Sequence, residues 1–198
     1  MFVRQRMTRN PVTVAPKAML STARDKMTAG KFRHVPVVQD GVLVGILTDR
    51  DLRQYVGVEE RTRIEAAMTE TPLTIPPTLT VEEATQLLLK HQISGMPVLE
   101  RGQLVGIITT SDILHAFLEL TGATTENSLR VNIAAKTGAT LTDAAQVLTQ
   151  AGSEVLSLGM YGDPTEHQRA YFVRVRGLDA TAASTVLRNN GYTVLDIR

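Results

Sequence analysis

The spacing of apolar residues changes along this chain in an order that repeats. MTRNPVTVAP (7–16) predicts a short extended segment broken by Pro11 and Pro16. MLSTARDKMTAG (19–30) carries Met19, Leu20, Ala23 and Met27 at spacings that put one apolar face on a helix. HVPVV (34–38) and VLVGILT (42–48) predict two strands joined at QDG, where Gly41 supplies the positive φ of a tight hairpin turn. A second helix is expected from Thr48. PLTIPP, VEEATQLLLKHQ, GMPVL, ERG, QLVGIIT and a helix from Thr109 to about Leu120 then repeat the series. Shifted by 61 positions, residues 7–52 align on 68–113 without a gap, with 15 of 46 identical. Each copy reads β-α-β-β-α over about 60 residues, a size marginal alone that favours packing a sheet on its twin.

After TGATTEN (121–127) the pattern changes. SLRVNIAAKTG is a strand running into a Gly-containing loop, and ATLTDAAQVLTQAG an amphipathic helix closed by Gly152. VLSLGMYG and QRAYFVRVRG are strands around DPTEH. DATAASTVLRNNG is a helix, and YTVLDIR a last strand. The order β-α-β-β-α-β is that of the ferredoxin-like split β-α-β unit. The expected class is therefore α+β, with repeats at 1–60 and 61–122 and a third domain at 128–198.

Composition narrows the chemistry. The chain has 198 residues, a net charge of +1 and no cysteine. Disulfides, thiolate zinc sites and cysteine nucleophiles are excluded, and bulk electrostatics argue against a general nucleic-acid binder. MFVRQRMTRNP lacks the apolar core of a secretory signal. No run of about 18 apolar residues occurs, so no membrane span and a soluble, cytoplasmic protein are expected. Charge is uneven: residues 1–56 hold ten Lys/Arg against four Asp/Glu, and residues 57–126 hold four against ten. Either the two halves attract each other or the first faces an anion. His34, His91, His115 and His167 are scattered and form no credible metal set.

The repeated motif is GILTDRDL (45–52) and GIITTSDI (106–113). Thr48 with Asp51, and Thr109 with Asp112, fit a helix capping box: the Thr hydroxyl accepts from an amide three residues on, and the carboxylate reaches back. A cap alone would justify both pairs. The preceding glycines, Gly45 and Gly106, bring each helix N-terminus to a strand end free of side chains. There, unpaired amides favour an anion and a carboxylate can accept from a sugar diol.

These paired units resemble cystathionine-β-synthase (CBS) domains, which pair with pseudo-two-fold symmetry into a Bateman module, over about residues 1–122. The resemblance implies two clefts for adenosine-containing ligands (AMP, ADP, ATP or S-adenosylmethionine) and no catalytic cofactor. It assigns Thr48 and Asp51 to one cleft and Thr109 and Asp112 to the other. It also places adenine walls at Thr13, Val14, Val35 and Pro36, and at Thr74, Ile75, Gly95, Met96 and Pro97. Arg33, His34 and Arg50 mark the first cleft for phosphates, where the second copy has Ser94, Gly95 and Ser111. Residues 128–198 resemble an ACT domain, which implies a homodimer interface and a ligand loop at 135–140; that loop lacks the Asp/Asn-x-Pro-Gly form of amino-acid-responsive members. CBS repeats followed by ACT resemble proteins grouped with acetoin utilisation. The expectation is a non-catalytic sensor acting on a partner protein. The alternatives are an accessory subunit of a metabolic enzyme and a dimerisation scaffold with degenerate clefts.

Overall fold

The computed structural model describes residues 1–134, 140–162 and 170–198. The chain divides into two compact units, Met1–Ala116 and Phe117–Arg198.

In the first unit the elements are β1 (Thr8–Arg9), α1 (Leu20–Gly30), β2 (His34–Gln39), β3 (Val42–Thr48) and α2 (Asp49–Leu52). They are followed by β4 (Thr69–Glu70), α3 (Val81–His91), β5 (Gly95–Glu100), β6 (Gln103–Thr109) and the start of α4 (Thr110–Leu120). The apolar spacing places α1, with Leu20, Ala23 and Met27 buried but Met19, expected on that face, exposed as the residue before the helix, and its twin α3 with Val81, Ala84 and Leu88 buried. Both helices end on a left-handed residue, Lys31 or Gln92, each at φ 53°. The hairpins turn at Asp40–Gly41 and Arg101–Gly102, where all four residues have positive φ, the backbone of a tight two-residue loop. The repeat thus extends to individual dihedral angles. The helix expected from Thr48 is a single four-residue turn continued by a 3-10 turn over Arg53–Tyr55, whereas α4 runs eleven residues.

The strand pairing crosses between the copies. Each copy's opening segment pairs first with the other copy. Thr8 and Arg9 pair with Ile107 and Gly106 of β6, and Thr69 and Glu70 with Ile46 and Gly45 of β3. The sheets are therefore β1-β6-β5 and β2-β3-β4. The chain then returns to its own copy through single parallel bridges, Val14 to Val37 and Ile75 to Val98. The cores follow the exchange: Val3 lies in the core built by α3, β5 and β6, while Ile64 lies in that of α1, β2 and β3. The motif glycines enable it. A Cβ on Gly45 would lie 2.6 Å from Met68 Sδ and 3.0 Å from the Thr69 carbonyl; one on Gly106 would lie 2.5 Å from Met7 Sδ and 3.0 Å from the Thr8 carbonyl. These glycines admit the exchanged strand rather than clear a helix end.

Outside the sheets, Arg24 on α1 forms an ion pair with Glu59 in the segment joining the copies, and the Gly57 amide donates to the other Glu59 oxygen at 2.8 Å. The Glu59 side chain is 8% exposed and that of Arg24 42%.

In the second unit, β7 (Ser128–Ala134), α5 (Leu141–Gln150), β8 (Glu154–Tyr161), β9 (Ala170–Arg176), α6 (Ala180–Asn189) and β10 (Val194–Ile197) follow in the expected order. The sheet is antiparallel, β10-β7-β9-β8. Val131, Ile133, Val173 and Val175 alternate onto one face, where Ala144, Leu148, Ala183 and Leu187 of the helices bury them. Thr140 caps α5 with Asp143, and Asp179 caps α6. Of the loop expected to hold a ligand at 135–140, residues 135–139 lie outside the described residues, as does His167. No described helix is long and apolar enough to cross a membrane.

Candidate functional site

Strand exchange opens a cleft beside each motif. The first, about 580 Å³, is lined by Arg33, His34, Thr48, Arg50, Asp51, Arg53, Thr69, Pro72 and Leu73, with Ile93, Ser94 and Gly95 on its far side. The second, about 330 Å³, is lined by Asn10, Pro11, Val12, Lys31, Phe32, Arg33 and His34, with Thr109, Ser111 and Asp112. Both fall in the size range of small-molecule sites. Each pairs one copy's Thr–Asp motif with the other copy's Pro–apolar segment, because Thr8–Arg9 and Thr69–Glu70 cross over.

The capping box forms at Thr48–Asp51, where the Asp51 amide donates to the Thr48 hydroxyl at 3.4 Å, and its carboxylate half forms at Thr109–Asp112. The Thr48 amide and hydroxyl donate to Asp51 Oδ2 at 2.8 Å each; those of Thr109 donate to Asp112 Oδ2 at 2.7 Å each. Among the described residues, every hydrogen bond to these carboxylates ends on Oδ2, so Oδ1 remains an acceptor for a ligand. The motif is also tied to the preceding strand: the Asp49 amide donates to the Arg33 carbonyl, and the Thr110 amide to the Ser94 carbonyl, both at 3.0 Å.

The structure separates the anticipated site residues into three groups. Thr48, Arg50 and Asp51 line the first cleft, and Thr109, Ser111 and Asp112 the second. Thr13, Val14, Val35, Pro36, Thr74, Ile75, Met96 and Pro97 line neither. Val14, Val35, Ile75 and Met96 are buried in the cores, because the wall segments contact the clefts before Thr13 and Thr74, at Val12 and Leu73. Arg33 and His34, expected in the first cleft alone, line both, and Gly95 lines the first. The cations that distinguish the first cleft are thus Arg50 and Arg53, and Lys31 is the second's own. Residues missed from sequence include Asn10, Pro11, Val12, Lys31, Phe32, Arg53, Thr69, Pro72, Leu73, Ile93 and Ser94. The identical Pro11 and Pro72 were the available signal, but identical segments do not say which motif each would join.

His34 sits where the copies meet. Its Nε2 lies 2.8 Å from Ser94 Oγ, and a Cβ on Gly95 would come within 3.0 Å of its ring. The glycine in the second copy therefore makes room for the histidine of the first. Burial, and then the Arg33 charge, push the imidazole below its ordinary 6.5, against the opposite pull of Asp49 and Asp51. The folded chain favours the neutral ring, so this contribution to stability is whole above 6.5. It is lost as pH falls below that value, because the unfolded chain takes up the proton first. Melting temperature should therefore fall more steeply between about pH 7 and pH 5.5 in the natural chain than in a His34→Gln variant. Parallel curves would remove His34 as the cause.

A CBS-domain model matches residues 3–58 and 63–119, both copies of the repeat and more than half the chain. The chain belongs to the CBS-domain family. The chain is similar in sequence to inosine-5′-monophosphate dehydrogenase from Aquifex aeolicus, 35% identical over 152 residues. That match covers 74% of this chain but only 31% of the enzyme, its CBS regulatory region and not its catalytic domain. CBS-domain proteins are typically regulatory. Among solved structures, similar ones are CBSX2 in complex with AMP (27% identity, TM-score 0.54, 59% of this chain and 96% of that one) and the CBS pair of MJ0100 with 5′-methylthioadenosine and S-adenosyl-L-methionine (28%, 0.56, 59% and 95%). The Vibrio cholerae protein AcuB matches at 31% identity and TM-score 0.57, over 64% of this chain and 96% of its own.

Proposed function

We propose that this CBS pair is a sensor of adenosine-containing ligands, and that the first cleft takes the more highly phosphorylated one. The observation that carries the reading is the pair of capped carboxylates, Asp51 and Asp112, each holding Oδ2 in its cap and leaving Oδ1 for a ribose diol at a cleft. Arg50 and Arg53 line the first cleft, where Ser111 stands in the second, and guanidinium–phosphate contacts are among the stronger hydrogen bonds. Complexes of similar CBS pairs with AMP and with S-adenosyl-L-methionine support the ligand class. Cleft walls drawn from both repeats give such a ligand a grip on their relative arrangement, and it shifts that arrangement as far as it binds one form better than another.

In this reading the repeats are bounded at 1–60 and 61–122, and residues 128–198 form an ACT-like domain that supports a homodimer. A partner protein reads the ligand state in the cytoplasm. Calorimetry with AMP, ADP, ATP and S-adenosylmethionine tests the core of the proposal. Saturable binding of at least one is expected, with the triphosphate or diphosphate favoured over S-adenosylmethionine at the tighter site. Absence of heat and of thermal stabilisation with all four would end it.

A further inference from the structure

The second unit carries a feature its own fold does not require. One face of its sheet packs on α5 and α6, and the other presents Arg130 and Arg174 directly opposite each other on β7 and β9. Like charges so placed on neighbouring strands destabilise a sheet. Among the described residues, neither has a carboxylate within ion-pair distance. Asp196 is engaged by Asn132 and Arg198, and Glu154 by Arg176.

Both guanidiniums are nevertheless held in place. The Arg130 guanidinium lies 4.4 Å from the centroid of Phe172 and 5.6 Å from that of Tyr161. Its Nε donates to Asn132 Oδ1 at 3.1 Å. Asn132, only 5% exposed, is fixed in turn by donating to Asp196 Oδ1 at 2.7 Å. Arg174 donates from Nε to the Thr121 carbonyl at 3.0 Å and from Nη1 to Ser128 Oγ at 3.1 Å. Ser157 donates to the same Thr121 carbonyl at 2.7 Å. Burial, and after it the Arg130 charge, lower the pKa of Arg174, so the two cations feel each other. What remains unengaged among the described residues is Nη1 and Nη2 of Arg130 and Nη2 of Arg174.

We infer that Arg130 and Arg174 form an oxyanion site on this sheet face, taking a carboxylate or phosphate group of a small organic anion. A planar guanidinium clamped through Nε, with its outer donors unused, is pre-organised for two-point contact with such a group. An anion between the strands would also offset the repulsion built into the ladder. Phe172 has Arg130 on its ring and closes over Gly159, where a Cβ would lie 2.4 Å away. The ring therefore supports the arginine and is not a platform for the ligand.

The full-length chain, 15N-labelled, tests this through the Nε–H signals of the arginines. Sodium malonate and sodium phosphate are titrated separately, each against sodium chloride at matched ionic strength. Saturable shifts of the Arg130 and Arg174 signals are expected with malonate, phosphate or both, and the stronger of the two identifies a carboxylate or a phosphate source. Arg130→Gln should weaken binding at the remaining Arg174 signal roughly ten-fold, and Arg130→Lys, which keeps the charge but not the fork, nearly as much. If core methyl signals move in these variants, Arg174→Gln read at Arg130 replaces them. Shifts reproduced by chloride, or unchanged affinity in Arg130→Gln with an intact core, would overturn the inference. Neither outcome depends on whether the CBS pair binds adenosine ligands.

Discussion

Replacing Asp51 by asparagine should lower affinity for a phosphorylated adenosine ligand at the first cleft about ten- to a hundred-fold while leaving the fold intact. Asparagine at this third helical position keeps an oxygen that can still accept from the Thr48 amide, so the reach-back half of the capping box survives. What disappears is the charged acceptor left over for the ribose, replaced by an amide nitrogen that can only donate, and hydrogen bonds to charged groups are worth about 1.5–3 kcal/mol. Asp51→Ala also removes the reach-back half of the capping box and should lower stability besides. The same change at Asp112 should cost less affinity for that ligand, because Ser111 stands at the second cleft where Arg50 stands at the first. Calorimetry on the two variants measures the difference. Equal losses would show that the clefts are equivalent and that Arg50 and Arg53 carry no discrimination.

The largest expected loss of stability lies away from the clefts. Arg24→Ala should destabilise the first unit by about 2–3 kcal/mol, because it strips the counter-charge from a carboxylate that is almost fully buried. Glu59→Gln should cost less. Its amide is neutral, can still accept from the Gly57 amide, and leaves behind only an arginine already in contact with water. The order of the two midpoints in denaturant unfolding decides the matter: a Glu59→Gln midpoint below that of Arg24→Ala would mean that the pair is held mainly by its exposed end.

Much of this was legible before any tertiary contact was known. The capping boxes at Thr48–Asp51 and Thr109–Asp112, the hairpin turns at Gly41 and Gly102, and the buried stripes of α1 and α3 each depend on residues within a few positions of one another. The cleft walls were not. Pro11–Val12 and Pro72–Leu73 are near-copies and fit either motif equally well. The family resemblance puts the walls at Val14 and Ile75, which fill the cores instead. Arg33 and His34 were likewise attributed to one cleft, because sequence does not show that they stand where the copies meet.

Local periodicity, turn geometry and capping were enough to specify a doubled β-α-β-β-α unit, a β-α-β-β-α-β tail, and two Thr–Asp pairs on helix starts. They could not say that each opening segment crosses to the other copy, which is a matter of three-dimensional packing. Thr8 meets Ile107 and Thr69 meets Ile46. That choice is long-range: it is made by Val3 and Ile64 entering opposite cores, and by two glycines that leave room for Met7, Met68 and the backbone beside them. It is also what brings Leu73 to the cleft of Asp51 and Val12 to the cleft of Asp112.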